Sequence, residues 1–379
     1  MHAIIHQNEE DLRHSRGGFE FPVTPKIYTP SRLPPPDTFF NRLPKKIGPA
    51  IQYRWLRRSW RGPASSVLLE THHIIRQILE RVSMDVVIFT DLASMSAAPL
   101  VRRLAPRSIR ILNADNIDHH LIGQEMISHK GNNGHLRDLR KSYRQTRWSE
   151  SHLGKFVHAV FACSEEDRAV LQSLNKGSVK GFTIPNGVDT SARPFDQKTD
   201  KHRLREILFC GSLDYLPNQD GLLWFYKEIW PLIVARQPDL RLTVVGRGAG
   251  GGVLTDLRSD LLVNYIGEVE DVLPYYRRAS VSVVPLRMGS GSRLKILEAM
   301  SLGNPVVSTT IGSAGIQARD GKEIVIADEP VEFAAAVTSL LNNVGLFDDI
   351  RRSANLLVRQ KYDWIVVGRM MDEAIYSLR

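Results

Sequence analysis

Short β-branched runs, each followed by an amphipathic stretch, predict an α/β protein built as two doubly wound domains with parallel sheets. Three observations carry that prediction. The strand–helix alternation recurs along most of the chain. A turn-rich segment, Pro185-Asn186-Gly187-Val188-Asp189, divides it. In the second half a Gly/Ser loop leads from a strand into a helix.

Taken in order, the first half offers strands at Ala3-Ile4-Ile5, Asp85 to Phe89, Ile109 to Leu112, His158 to Ala162 and Phe182-Thr183-Ile184. The second half offers them at Ile207 to Cys210, Leu240 to Val245, Val281 to Pro285, Pro305 to Ser308 and Ile324-Val325-Ile326. Residues 20–50 are proline-rich and read as an extended connector before a basic helix. From Asp189 to about Arg205 no apolar period survives, which puts the domain boundary there. The expected organisation is a first domain over 1–189, a second over 190–355 and a closing helix over 356–379 that returns to the first domain.

The chain has 379 residues and 42% hydrophobic content, enough for two domains each with its own core. Its two cysteines, Cys163 and Cys210, each end a short apolar run and read as reduced core thiols. No apolar run reaches the roughly 18 residues a membrane span needs, and the first residues do not form a signal peptide. This predicts a cytoplasmic protein, either free or bound to the inner face of the cell membrane. Residues 1–190 hold 27 Lys+Arg against 18 Asp+Glu, whereas 191–379 hold 23 of each, so the net charge of +9 belongs to the first half. A basic half beside a neutral one points to an anionic partner.

The stretch from Arg287 to Ser308 carries the most chemistry. Gly289, Ser290 and Gly291 lead from a strand to a helix expected to start near Ser292, with Gly303 ending it. A helix N-terminus reached through glycines offers unpaired N–H groups and a positive dipole end to a diphosphate. Arg293 and Lys295 add full charges, and Glu298, about a turn and a half inward, can accept both hydroxyls of a ribose. An ordinary strand–helix turn with a surface Glu is the plainer reading of the same pattern. Gly246-Arg247-Gly248-Ala249-Gly250-Gly251 matches the dinucleotide fingerprint formally, but it follows the second strand of its domain and reads as a decoy.

Here the sequence resembles the retaining glycosyltransferases of family 4, in the bacterial branch associated with exopolysaccharide and exosortase loci. The resemblance covers Phe161 to Asp167, Ile184 to Asp189, Leu208 to Asn218, Gly267 to Val272, Arg293 to Ser308 and Gly312 to Ile316. It implies a GT-B fold, two Rossmann-like domains facing across a cleft, with a nucleotide-sugar donor on the second domain and the acceptor on the first. Glu298 would hold the ribose; Gly291, Ser292 and Arg293 would cradle the diphosphate with Lys295 adding charge, and Gly289 and Ser290 would belong to the same donor site. Gly211 and Ser212 would flank it, and the Val269 region would meet the base. Such enzymes transfer a sugar with retention, to a polysaccharide or lipid-linked acceptor, without a cofactor and usually without a metal. No nucleic-acid partner is implied.

The chain departs from the family in three places. The first carboxylate of the usual donor pair is replaced by Ser290, and the Arg and Lys of many relatives fall at Ser212 and at Asn218 or Gln219, so phosphate charge must come from Arg293, Lys295 or Arg287. On the acceptor side the branch's His-Asn-Val-Glu pattern corresponds to Asp115-Asn116-Ile117-Asp118, making Asp115 and Asn116 the candidate catalytic positions, with His119 or His120 as stand-ins for the missing His. Relatives also begin one strand earlier, so the resemblance predicts an N-terminally truncated first domain or a misassigned start, with a non-catalytic relic as the alternative to an enzyme. Finally, Arg54, Trp55, Arg57, Arg58, Trp60 and Arg61 combine charge and indole as an interfacial membrane helix does, with a solvated basic helix as the plainer reading. The stripe Arg137, Arg140, Lys141, Arg144 and Arg147 is expected to be an exposed helix face.

Overall fold

The computed structural model describes residues 2–3, 26–27, 68–128, 133–195, 200–248, 255–289 and 293–379. The chain divides into two compact units. One is drawn from Met1–Asn113, Lys141–Val160 and Leu174–Lys180, the other from Ala114–Arg140, Phe161–Ser173 and Gly181–Arg379.

The first half opens with β1 (His2–Ala3), paired in parallel with β2 (Lys26–Ile27). The predicted run to Ile5, the proline-rich connector beyond Ile27 and the Arg54–Arg61 helix lie outside the described residues. The chain then alternates as predicted: α1 (Leu68–Arg81), β3 (Val86–Phe89), α2 (Ala98–Leu104), β4 (Ile109–Ala114), α3 (Asp118–Ser128), α4 (Asn133–Glu150), β5 (Ala159–Ala162), α5 (Glu165–Leu174) and β6 (Lys180–Thr183). These strands form a four-stranded sheet in the order β3-β4-β5-β6. Arg110 sits within β4 and is nevertheless buried, because its guanidinium donates to the carbonyls of Phe156 (2.8 Å) and Ser108 (3.0 Å). Arg137, Arg140, Lys141, Arg144 and Arg147 line α4 and are all exposed, as expected.

The second sheet is built from β7 (Glu206–Cys210), β8 (Arg241–Val245), β9 (Val263–Gly267), β10 (Val281–Val284), β11 (Val306–Ser308) and β12 (Val325–Ile326). The strands are parallel in the order β12-β11-β10-β7-β8-β9. Alternation along β7 shows how it is covered. Ile207 and Phe209 join one core with Leu222, Phe225 and Phe333, while Leu208 joins another with Val284, Ile296 and Met300. The helices are α6 (Leu216–Trp224), α7 (Trp230–Val234), α8 (Thr255–Ser259), α9 (Leu273–Arg278), α10 (Leu294–Ser301), α11 (Pro330–Asn342), α12 (Val344–Lys361) and α13 (Trp364–Tyr376).

β9 is absent from the predicted strands. It is an edge strand in which exposed Asn264 interrupts the apolar run, so neither strict alternation nor continuous hydrophobicity marks it.

Segment 188–195, read as a boundary without period, is tied down closely. The N–H of Val188 donates to Tyr362 O (2.8 Å), and the N–H of Trp364 donates to Val188 O (3.1 Å). Asp189 Oδ1 accepts from the N–H groups of Ser191 (2.9 Å) and Ala192 (3.0 Å). Phe195 packs under the Arg351 guanidinium, 4.9 Å away, and against Gly303, where a Cβ would come within 2.7 Å of its ring. The peptide of Val188 and the ring of Phe195 therefore fix both ends of the segment.

Candidate functional site

Strand order places the site. From β7 the chain winds outward through β8 and β9; from β10 it winds the other way through β11 and β12, so the winding reverses between neighbours β7 and β10. Loops leaving the carboxyl ends of two such strands diverge to opposite faces and leave a crevice between them. The β7 loop starts with Gly211-Ser212, and the β10 loop runs through Arg287 and Gly289 to Arg293.

Close backbone approach explains the glycines. A Cβ on Gly246, just past β8, would lie 1.9 Å from the carbonyl oxygen of Gly211, and one on Gly211 would lie 2.6 Å from Lys295 Nζ. Only hydrogen fits at Gly246, which meets backbone, whereas at Gly211 a Cβ would push aside the Lys295 ammonium that reaches the end of β7. The fingerprint-like run beginning at Gly246 thus packs beside the β7 loop; its residues 249–251 lie outside the described set. Lys295 Nζ donates to Asn218 Oδ1 (2.7 Å), and Asn218 Nδ2 donates to Ser212 O (2.7 Å), which links the ammonium to the loop. The ammonium also sits 5.2 Å from the Phe209 ring centre. Burial pulls the Lys295 pKa down to about 8, with Arg293 adding repulsion in the same direction.

Helix α10 starts at Leu294 with Arg293 as its N-cap, two residues later than predicted; Ser290, Gly291 and Ser292 lie outside the described residues. Arg293 is buried, with Tyr215, Cys163 and Asp167 in its electrostatic neighbourhood, and desolvation lowers its pKa. Gly289 has φ +123° and donates its N–H to Gln124 Oε1 of α3 (2.8 Å). Arg287, offered by sequence as a phosphate cation, pairs with Asp220 through two bonds of 2.6 and 3.0 Å, whereas Arg293 and Lys295 stand at the start of α10.

One turn along α10, Glu298 is partly open to solvent. Its Oε2 accepts from the Tyr276 hydroxyl (3.4 Å) and its Oε1 from Arg193 Nη2 (3.5 Å). The Tyr276 ring is fully buried, so its hydroxyl stays protonated and acts as a donor. Burial raises the Glu298 pKa, against the lowering effects of Arg193, Tyr276 and Lys295. Cys210 is not a plain core thiol: it is only half-buried and shares a hydrogen bond with Tyr276. Val269 is half-buried beside the β9 end, packed on the core that holds Ile296.

Asp115 and Asn116 follow β4, and Asp115 is exposed. The Asp115 carbonyl accepts from the Cys163 thiol (2.9 Å), and Cys163 is buried as predicted. His119 is buried with its ring 4.4 Å from that of His120. A cavity of about 490 Å³ opens nearby, lined among others by Cys163, Glu166, Thr183, Gln317, Tyr362 and Met370. Among the described residues no three His, Cys, Asp or Glu side chains gather as a metal site, and no helix is long and apolar enough to cross a membrane.

Arg193, Tyr276 and Gln124 contact candidate site residues and are missed by sequence reading. None carries a local signal, since each meets its partner only through tertiary packing.

Residues 205–343 match the family described as glycosyl transferases group 1. A 44.6 kDa protein of the cps region of Klebsiella pneumoniae is 30% identical over 193 residues, 48% of this chain and 49% of that one. A phosphatidyl-myo-inositol mannosyltransferase of Mycobacterium tuberculosis is 29% identical over 231 residues, 56% of this chain and 58% of that one. The chain thus spans about half the length of the curated relatives it matches. Among solved structures, Anabaena Alr3699/HepE in complex with UDP-glucose superposes with a TM-score of 0.63 at 15% identity, over 82% of this chain and 83% of that one. This likeness identifies the α/β fold as GT-B. The reversed strand order and the glycine approach at Gly211 both lie within residues 205–343, the stretch that matches the glycosyl transferases group 1 family.

Proposed function

We propose that the protein is a glycosyltransferase that moves a sugar from a nucleoside-diphosphate sugar to a polysaccharide or lipid-linked acceptor, with retention of configuration. The observation that carries this reading is the half-open Glu298 carboxylate one turn along a helix whose start holds Arg293 and Lys295, all at the point where the strand order reverses. A carboxylate recognises a vicinal diol, and two cations at a helix N-terminus recognise a diphosphate.

In this reading Glu298 holds the ribose. Gly289, Ser290, Gly291, Ser292, Arg293 and Lys295 hold the diphosphate, Gly211 and Ser212 flank it, and Val269 borders the base. The anomeric C–O bond to the diphosphate breaks while an acceptor hydroxyl attacks from the same face and passes its proton to the departing phosphate oxygen. Arg293 and Lys295 stabilise the charge that develops there, a task that requires no cofactor. Asp115 and Asn116 stand on the acceptor side, residues 190–355 form the donor domain, and Arg54 to Arg61 give the first domain a peripheral hold on an anionic inner membrane face. The Anabaena protein's complex with UDP-glucose supports UDP as the first donor nucleotide to try.

Calorimetric titration with UDP, GDP and ADP tests the reading. One of them is expected to bind, and Glu298→Ala to weaken it by roughly 100-fold, the loss of two charge-assisted hydrogen bonds. Unchanged affinity in Glu298→Ala removes the ribose from this carboxylate. With the donor sugar that matches the winning nucleotide, the anomeric proton coupling of the product reports retention or inversion.

A further inference from the structure

We propose that Arg193 is a positioning residue for the donor site: its Nη2–H on Glu298 Oε1 sets the carboxylate in the orientation that accepts two vicinal hydroxyls. The inference rests on the nucleotide-sugar reading above and adds to it a residue outside every motif of the donor domain.

Three observations support it. First, the two Glu298 oxygens are held from different sides. Arg193 reaches Oε1 from the segment before β7, and Tyr276 of α9 reaches Oε2. A carboxylate offers about four lone-pair positions. One partner on each oxygen leaves one acceptor position on each, the spacing a ribose diol uses. Second, Arg193 is not a chance surface neighbour. Its side chain is four-fifths buried, at 21% exposure, and its Nη1 donates to Asp189 O (3.4 Å). Two residues on, Phe195 is pinned between Arg351 and Gly303; four residues back, Asp189 Oδ1 accepts from Ser191 and Ala192. The backbone that presents Arg193 is therefore set from both sides. Third, Nε of Arg193 is buried without a hydrogen-bond partner, so the guanidinium is committed to a geometry that serves Glu298 at the expense of its own third donor group.

Charge follows from the same geometry. The groups that face Glu298 are Arg193 from the linking segment, Tyr276 from α9, Cys210 at the end of β7 and Lys295 one turn back on its own helix. Burial favours the protonated acid, and a protonated Glu298 has lost an acceptor position to its own hydrogen. Arg193 and Lys295 oppose that protonation, and Arg193 is the one whose own contact is with the carboxylate.

The test is calorimetric titration of the full chain with UDP, or with whichever of UDP, GDP and ADP binds, between about pH 5 and pH 8. Parent, Arg193→Met, Arg193→Lys and Glu298→Ala are compared. Parent affinity is expected to fall as pH drops through the Glu298 titration. Without the Arg193 charge, Glu298 protonates at higher pH, so in Arg193→Met the fall begins about one pH unit earlier, an extra loss of about tenfold at the acid end. Arg193→Lys restores most of the midpoint. Comparing variants cancels the titration of the diphosphate itself. A uniform loss at every pH, with the midpoint unmoved, overturns the inference and assigns Arg193 to direct phosphate contact or to folding alone. Should Arg193→Met fail to fold, Arg193→Gln supplies the same comparison. If no nucleotide binds the parent, or if Glu298→Ala binds like the parent, the nucleotide-sugar reading itself fails and takes this inference with it.

Discussion

Two regions around the second sheet each bring an arginine onto a carboxylate, and they are built oppositely. Arg287 and Asp220 form a closed pair with two short parallel bonds, the guanidinium further covered by Trp224, whose ring centre is 5.5 Å away. Arg193 and Glu298 touch at one point, 3.5 Å apart, and each carboxylate oxygen keeps an acceptor position. Lysines repeat the contrast. Lys201 is buried and donates to Tyr276 O (3.1 Å), Leu302 O (3.0 Å) and Asn304 Oδ1, which uses all three of its protons. Lys295 donates to Asn218 (2.7 Å), and burial weakens its hold on the charge. Lys201 is saturated by the fold, whereas Lys295, beside the strand-order reversal, keeps donor capacity for the diphosphate role proposed for it.

The largest effect expected from this contrast is at Lys201. Lys201→Met keeps most of the side-chain volume and removes the donors, leaving two buried carbonyls and an amide oxygen short of partners. It should lower unfolding free energy by about 3 kcal/mol in denaturant titrations. Nucleotide affinity of the folded variant should stay near the parent's. A stable variant that binds UDP poorly would move Lys201 from the fold to the site and break the division.

Lys295 should behave in the opposite way. With a pKa of about 8, roughly half of the free protein carries this lysine neutral at pH 8. An arriving diphosphate raises that pKa, so binding at pH 8 should take up close to half a proton; near pH 6.5 the lysine is already charged and contributes none. Titrations in two buffers of different ionisation enthalpy measure this uptake. Lys295→Arg, charged at every accessible pH, should still bind but take up no proton at pH 8. Equal uptake by the parent and Lys295→Arg would place the proton elsewhere and remove Lys295 from the diphosphate.

The same contrast explains what the sequence made legible. Glu298, Lys295 and Arg293 share one helix start behind a glycine loop, so spacing alone brings them together, and β7, β8 and β10 are rich in buried Val, Ile, Leu and Phe because both faces are covered. Their partners come from afar. Arg193 meets Glu298 across 105 positions, Asn218 meets Lys295 across 77, and Gln124 meets Gly289 across 165. No local pattern encodes such separations. Tyr276 is nearer, but α9 has only six residues and too few turns to show which face is buried. Arg287 shows the converse: it lies beside the loop in sequence, yet its guanidinium pairs with Asp220 of α6, a contact that no local pattern announces.

Arg287 therefore supplies the smallest expected effect and the strictest check on the closed pair. Its side chain is 48% exposed, so solvent screens the pair with Asp220, and Arg287→Ala should cost no more than about 1 kcal/mol of stability. Affinity for UDP should be unchanged, because the Nε/Nη2 edge of the guanidinium is spent on Asp220 and one face on Trp224. Asp220→Asn sharpens the point by removing the charge that holds Arg287 while leaving the arginine in place. If Arg287 stays stacked on Trp224, UDP binding again does not move. If the freed guanidinium swings to the crevice, affinity rises in Asp220→Asn, and the rise vanishes when Arg287→Ala is added. That result would mean that closure of the ion pair, rather than distance, keeps Arg287 from the phosphates, and that the two arginine–carboxylate regions differ only in which partner arrives first.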